Sequence, residues 1–140
     1  MPSHPFQIDA QLLADSHPLG HWQQLHLRLH RNAALPWVLI IPETEVLEYC
    51  DLSQTMQQNI SLLGAALGQH YKRHWASTKI NFAAIGNVVQ QLHIHVIGRH
   101  ENDPLWPDVV WGNPLPKRSY SDDDLSQWQH KLAQLLETLT

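Results

Sequence analysis

Residues 37–41, Trp-Val-Leu-Ile-Ile, are continuously apolar and end at Pro42. A short unbroken run rich in branched aliphatic side chains, closed by a proline, reads as a central β-strand. Just before it, Leu25, Leu27 and Leu29 alternate with His26, Arg28 and His30, the period-two pattern of a half-buried strand. The link over 30–36 has hairpin length, so these two strands are expected to pair. Two more strands are expected at 79–84 and 88–97, separated by the turn signal Ile85-Gly86-Asn87. The fold is therefore committed to a sheet.

Two helices complete the pattern. Leu52-Ser53 opens one that runs to about residue 74, with Ser53 as its cap. Its apolar positions Met56, Ile60, Leu63, Leu67 and Tyr71 recur every three or four residues. Ser121 followed by Asp122, Asp123 and Asp124 starts the other, because acidic groups favour the positive end of a helix dipole. Leu125, Trp128, Leu132, Leu135 and Leu139 then share one face. Between Arg99 and this helix lies a stretch rich in proline and tryptophan, too irregular for either element. The expected architecture is a single α+β domain over 1–140: an antiparallel sheet, a long helix after the second strand, and a C-terminal helix.

Composition narrows the function classes. At 140 residues, 43% hydrophobic and 16% charged, the chain has material for one core and is not disordered. A formal charge of −4 argues against a protein held on nucleic acid by general attraction, and no stable nucleic-acid complex is expected. The single cysteine, Cys50, excludes an intramolecular disulfide and a cysteine-rich zinc site, and is expected to be a small core residue. No stretch approaches the ~20 apolar residues of a membrane span, and the start lacks the pattern of a secretory signal, so a cytoplasmic protein is expected.

Eleven histidines are an excess, and the segment 86–99, Gly-Asn-Val-Val-Gln-Gln-Leu-His-Ile-His-Val-Ile-Gly-Arg, concentrates their chemistry. Alternate side chains of a strand share a face. Leu92, Ile94 and Val96 would enter the core, and Gln91, His93 and His95 would line the other side. A solvated face carrying two chance histidines is one reading. A metal site is a second, but it needs a third ligand, and only His100 and Glu101 lie nearby. Nucleophilic catalysis by histidine at phosphorus is a third.

The pattern Gln91-x-His93-x-His95 followed by Val96 and Ile97, with Gly86-Asn87 before and Arg99 after, resembles the histidine triad (HIT) superfamily. That family is marked by His-φ-His-φ-His-φ-φ, with φ apolar. Gln91 stands in the first histidine position, and Val88 where a hydroxyl residue is often found. The variant is similar to small bacterial HIT-like proteins. The strand 37–41 ending in Pro42, and Asn81 before the Gly86-Asn87 turn, match the family in order along the chain.

The resemblance implies a nucleotide-binding hydrolase or nucleotidyl transferase acting at an α-phosphate. The substrate would be a nucleotide or nucleotide conjugate, the enzyme a homodimer, and neither metal nor cofactor would be needed. His93 would be the nucleophile, with its other ring nitrogen donating to a backbone carbonyl. His95 and Gln91 would be the remaining catalytic positions, His95 binding a phosphate oxygen. Asn81 and the amides around Gly86 and Asn87 would hold phosphate, Asn32 the ribose, and Leu29 the base. A nucleotide binder with little turnover, or a metal-binding protein using His93 and His95, are the alternatives. Trp37 and Trp75 are expected in the core, and Trp106 and Trp111 over the pocket or a partner. His17, His21, His26, His30, His70 and His74 are expected to be surface or packing residues.

Overall fold

The computed structural model describes residues 5–139. Five strands, β1 (Ser16–Trp22), β2 (Leu25–His30), β3 (Trp37–Pro42), β4 (Lys79–Ala83) and β5 (Ile94–Arg99), form one antiparallel sheet in the order β1-β2-β3-β5-β4. The helices are α1 (Ala10–Ala14), α2 (Gln54–Trp75) and α3 (Asp122–Glu137). Thus the α+β architecture holds, with the long helix following the strand that ends at Pro42. None of the described helices is long and apolar enough to cross a membrane.

β1 has no counterpart in the sequence reading. Pro18 and Gly20 argue against a strand, and the ladder to β2 shifts register between them. An edge strand tolerates both, because half of its backbone groups face outward. The β1–β2 turn is Gln23-Gln24, both at positive φ (50° and 63°). Tight hairpins adopt this conformation because its twist matches that of the strands.

The sheet carries an apolar layer on each side, which is why β3 is apolar throughout. Leu25, Leu27, Leu29, Val38, Ile40, Ile94 and Val96 face Ile60, Leu63, Leu67 and Tyr71 of α2 and Trp128 and Leu132 of α3. Tyr71 Oη accepts from the Val38 amide (3.2 Å) and donates to the Val96 carbonyl (2.7 Å), so one hydroxyl ties α2 to both β3 and β5. On the other side, Trp37, Leu39, Ile41 and Ile97 pack with Leu12, Leu35 and Val110. Gly98 lies where β5 passes under Pro36, Ser77 and Tyr71, and a Cβ there would collide with Ser77 and Pro36 and press on Tyr71.

Ser53 and Ser121 cap α2 and α3 as expected, accepting from the Met56 and Asp124 amides at 3.2 and 3.1 Å. Three expectations are corrected. The strand expected over 88–97 begins only at Ile94. Residues 84–93 are a loop that turns at Gly86 (φ +65°) and leaves Val88 95% exposed. Cys50 is exposed, in the middle of the turn of 3-10 helix Tyr49–Asp51. Trp75 is 39% exposed and stacks on Trp128, 5.4 Å between centroids.

The buried polar anchor of the second layer is Arg99, 2% exposed. It donates to both carboxylate oxygens of Asp103 (2.8 and 3.1 Å), to the Asp108 carbonyl (2.8 Å) and to Asn81 Oδ1 (3.1 Å). Trp106 covers the guanidinium at 5.9 Å.

Candidate active site

His93 and His95 sit side by side at the start of β5, ring centroids 5.0 Å apart, both over nine-tenths buried. Each is held through Nδ1, by partners of opposite character. His93 Nδ1 lies 2.7 Å from the Gln91 carbonyl. A carbonyl only accepts, so His93 carries its proton on Nδ1 and keeps a lone pair on Nε2. The indole Nε1–H of Trp37 donates to His95 Nδ1 at 3.0 Å. Indole only donates, so neutral His95 carries its proton on Nε2. Two adjacent imidazoles thus present a lone pair and an N–H respectively.

Burial, and then the neighbouring His93 and His30, push His95 down to about 3. Protonation would also set a second N–H against the Trp37 indole. Trp37 itself is clamped: His30 stacks on it at 3.8 Å and 8°, and His30 Nδ1 accepts from the Asn32 amide at 3.1 Å. Trp111 meets His95 edge-on at 5.0 Å, so one of the two tryptophans expected over the pocket does lie against a site histidine. Trp37 is buried as expected, yet it also fixes a tautomer. The Trp37 bond has no signal in the sequence, because 58 positions separate Trp37 from His95, whereas the His30 stack lies where the paired strands β2 and β3 meet their link.

Gln91 is committed elsewhere. Its Oε1 accepts from the Asp9 amide (2.8 Å) and its Nε2 donates to the Gln7 carbonyl (2.9 Å), fastening the N-terminal segment beside the site. Asn81 pairs with Ile97 across the β4–β5 ladder and so lies on the face of His95. Its oxygen is taken by Arg99, leaving the amide nitrogen as the available donor. Gly86 and His93 line one hollow of about 110 Å³ with Gln90 and Leu92. Asn87 is exposed in the same loop. Asn32 donates to the Pro116 carbonyl (3.0 Å) and accepts from the Ala34 amide (2.9 Å), holding the C-terminal stretch against the β2–β3 link.

Leu29 must be corrected. It is fully buried in the helix-side layer, on the opposite face from His95, and offers no wall to a ligand at His93. No third ligand joins His93 and His95 among the described residues, since the one group of three metal-ligating side chains found there is His21, His26 and Glu43. A larger cavity, about 240 Å³, is lined by His70 and Trp75 of α2, Trp128 of α3 and Tyr120 just before α3, and contains neither site histidine.

A lone pair and an N–H donor, held side by side in a buried wall next to an amide-rich turn, can attack an electrophilic phosphorus and receive the charge that develops on its oxygens. The HIT domain profile matches residues 12–102. Among solved structures, a histidine triad protein from Marinobacter aquaeolei VT8 is 34% identical, with a TM-score of 0.88 over 98% of this chain and 100% of that one. A histidine triad (HIT) protein from Sinorhizobium meliloti 1021 is 28% identical, with a TM-score of 0.84 over 92% of this chain and 96% of that one. A histidine triad protein from Bradyrhizobium japonicum is 25% identical, with a TM-score of 0.86 over 95% and 99%. No curated protein matches the chain.

Proposed function

The chain belongs to the HIT domain family, and from that premise we propose that it binds nucleotides and cleaves or transfers them at the α-phosphorus through His93. The observation that carries this reading is the pair of opposed tautomers set by the Gln91 carbonyl and the Trp37 indole. His93 Nε2 attacks phosphorus, an N–P bond forms, and the bridging P–O bond breaks with its electron pair leaving on oxygen. The proton stays on His93 Nδ1 and donates to the Gln91 carbonyl, whose oxygen stabilises the positive charge of the phosphorylated ring. His95 Nε2–H meets a non-bridging or departing oxygen, and the Asn81 amide and the turn at Gly86-Asn87 supply further donors. Water or another hydroxyl acceptor then attacks phosphorus, the N–P bond breaks with its electron pair returning to His93 Nε2, and the acceptor's proton passes to solvent.

Incubation with adenine and guanine nucleotides, dinucleoside polyphosphates and nucleoside phosphoramidates, followed by acid-free mass spectrometry, tests this. An adduct of one nucleoside monophosphate on His93 is the expected result. A thermal shift with nucleotides, but neither adduct nor turnover, would assign a binder instead.

The leaving group follows from the proton inventory. Both polar atoms of the Gln91 side chain are occupied, and His95 stays neutral down to about 3, so no ready acid faces the departing atom. Phosphate and pyrophosphate need little help to leave, whereas an amine does, and general acid assistance is typically worth about 10²–10⁴ in rate. The enzyme is therefore expected to favour anhydride-type nucleotides by at least about 10²-fold in kcat/KM at neutral pH. Comparable kcat/KM for a matched phosphoramidate would overturn this preference.

The same reading includes a homodimer in the cytoplasm. Its support is the outer edge of β4, unpaired among the described strands, and a groove beside it lined by Gly64, Ala65, Gly68, Ile80 and Phe82, with Phe82 48% exposed. Sedimentation should give twice the chain mass, and Phe82→Glu should give the single mass. A wild type that sediments as a monomer at micromolar concentration would refute it.

A further inference from the structure

Away from His93, at the β1 end of the same sheet face, three side chains that look unrelated in sequence point their ligand atoms at one another. His21 and His26 are directly opposed across the β1–β2 ladder, so they share a face, and their rings lie 4.7 Å apart. Glu43 follows β3, and its amide donates to the Gln24 carbonyl at 2.9 Å, which ties it to the β1–β2 turn. Its Oε1 is 2.8 Å from His26 Nε2 and 3.3 Å from His21 Nε2. All three ligand atoms lie within 4.8 Å of one another.

We propose that His21, His26 and Glu43 form a binding site for one divalent transition-metal ion of the zinc class. Zinc sits about 2.0–2.1 Å from imidazole nitrogen and carboxylate oxygen, so tetrahedral ligands are roughly 3.3–3.5 Å from each other. The His21–Glu43 separation already has that value, and the His26–Glu43 pair must open by only about half an ångström. Two imidazoles and a carboxylate favour zinc, cobalt, nickel or copper over magnesium and calcium, which take oxygen ligands. The side chains are 51%, 27% and 34% exposed for His21, His26 and Glu43, so an ion reaches them from solvent and keeps an open position for water. Phe6 stacks on His26 at 5.5 Å and 14°, which holds the imidazole plane in place. His26 pairs with Ile41, and Ile40 with Ile94, so His93 lies about two strand spacings away, roughly 10 Å. The metal site shares no ligand with the proposed nucleophile, although Glu43 and Gln91 line one hollow.

The test uses the full chain stripped with chelator, titrated with cobalt(II) under visible absorption and with zinc against a chromophoric chelator. One ion per chain is expected, with a cobalt band of four- or five-coordinate nitrogen–oxygen ligation. His26→Ala and the conservative Glu43→Gln should each weaken zinc at least tenfold, while His93→Asn leaves it unchanged. Stoichiometric binding that survives both substitutions, or that disappears in His93→Asn, would overturn the assignment. So would the lack of any zinc binding tighter than that of a free imidazole.

Discussion

His93→Ala is expected to lower turnover by at least about 10⁴-fold while leaving nucleotide affinity within about tenfold. The asymmetry comes from how the two tasks are divided. Of the two site histidines, His93 is the one whose Nε2 keeps a lone pair in a fixed orientation, whereas on the proposed reading phosphate contacts would be spread over His95, Asn81 and the backbone of the turn at Gly86. Removing the attacking atom ends the covalent route, and removing one of several donors does not. Single-turnover kinetics and equilibrium binding of the same nucleotide measure both halves. Turnover near the wild-type level in His93→Ala would end the covalent reading, and a large loss of affinity would show that His93 also holds the ground state.

Asp103→Ala is expected to cost about 3–5 kcal/mol of stability. The substitution strands Arg99 in the interior with a full charge and only neutral acceptors, and it also releases the backbone amides of His100, Leu105 and Trp106. Chemical denaturation measures the loss. Its pH dependence identifies the cause. Burial alone would raise the Asp103 carboxyl, but the Arg99 guanidinium and the amides of His100 and Leu105 more than offset this and hold it at about 2. A carboxyl depressed in the folded state stabilises the fold above its unfolded pKa of about 3.9, and this contribution is lost as pH falls towards the folded value. The gap between wild type and Asp103→Ala should therefore shrink by about 2 kcal/mol between pH 5 and pH 2. A gap that stays constant would mean that packing, not charge, carries the effect.

Both predictions rest on features of unequal legibility. β2, β3, α2 and α3 are readable because each repeats its pattern over several periods and three of their boundaries carry strong signals, Pro42, Ser53 and Ser121. β1 is hidden because Pro18 and Gly20 interrupt it, and an edge strand needs no apolar alternation to be held by its neighbour. The histidine strand was too long in the sequence reading, since Val88 and Val89 have strand composition but lie in a loop. A carbonyl partner for His93 was expected, and Gln91 supplies it from two residues away. The Trp37 bond to His95 and the Gln91 bonds to residues 7 and 9 join positions 58 to 84 apart, where no local pattern reaches. Arg99 and Asp103 are only four apart, yet their pairing lies beyond a strand end in irregular chain, so helical spacing gives no hint of it.

Gln91 has one further consequence, because its two halves answer to different neighbours. Its main-chain carbonyl sets the His93 proton, and its side-chain amide grips Asp9 and Gln7. The carbonyl and the side-chain amide hang from one Cα, so a displacement of one is expected to reach the other. The Asp9 amide, more than eighty positions upstream of His93, is thus expected to report on the site: its exchange with deuterium should change when a nucleotide binds beside His93. It offers a way to watch the site by NMR without substituting His93 or His95.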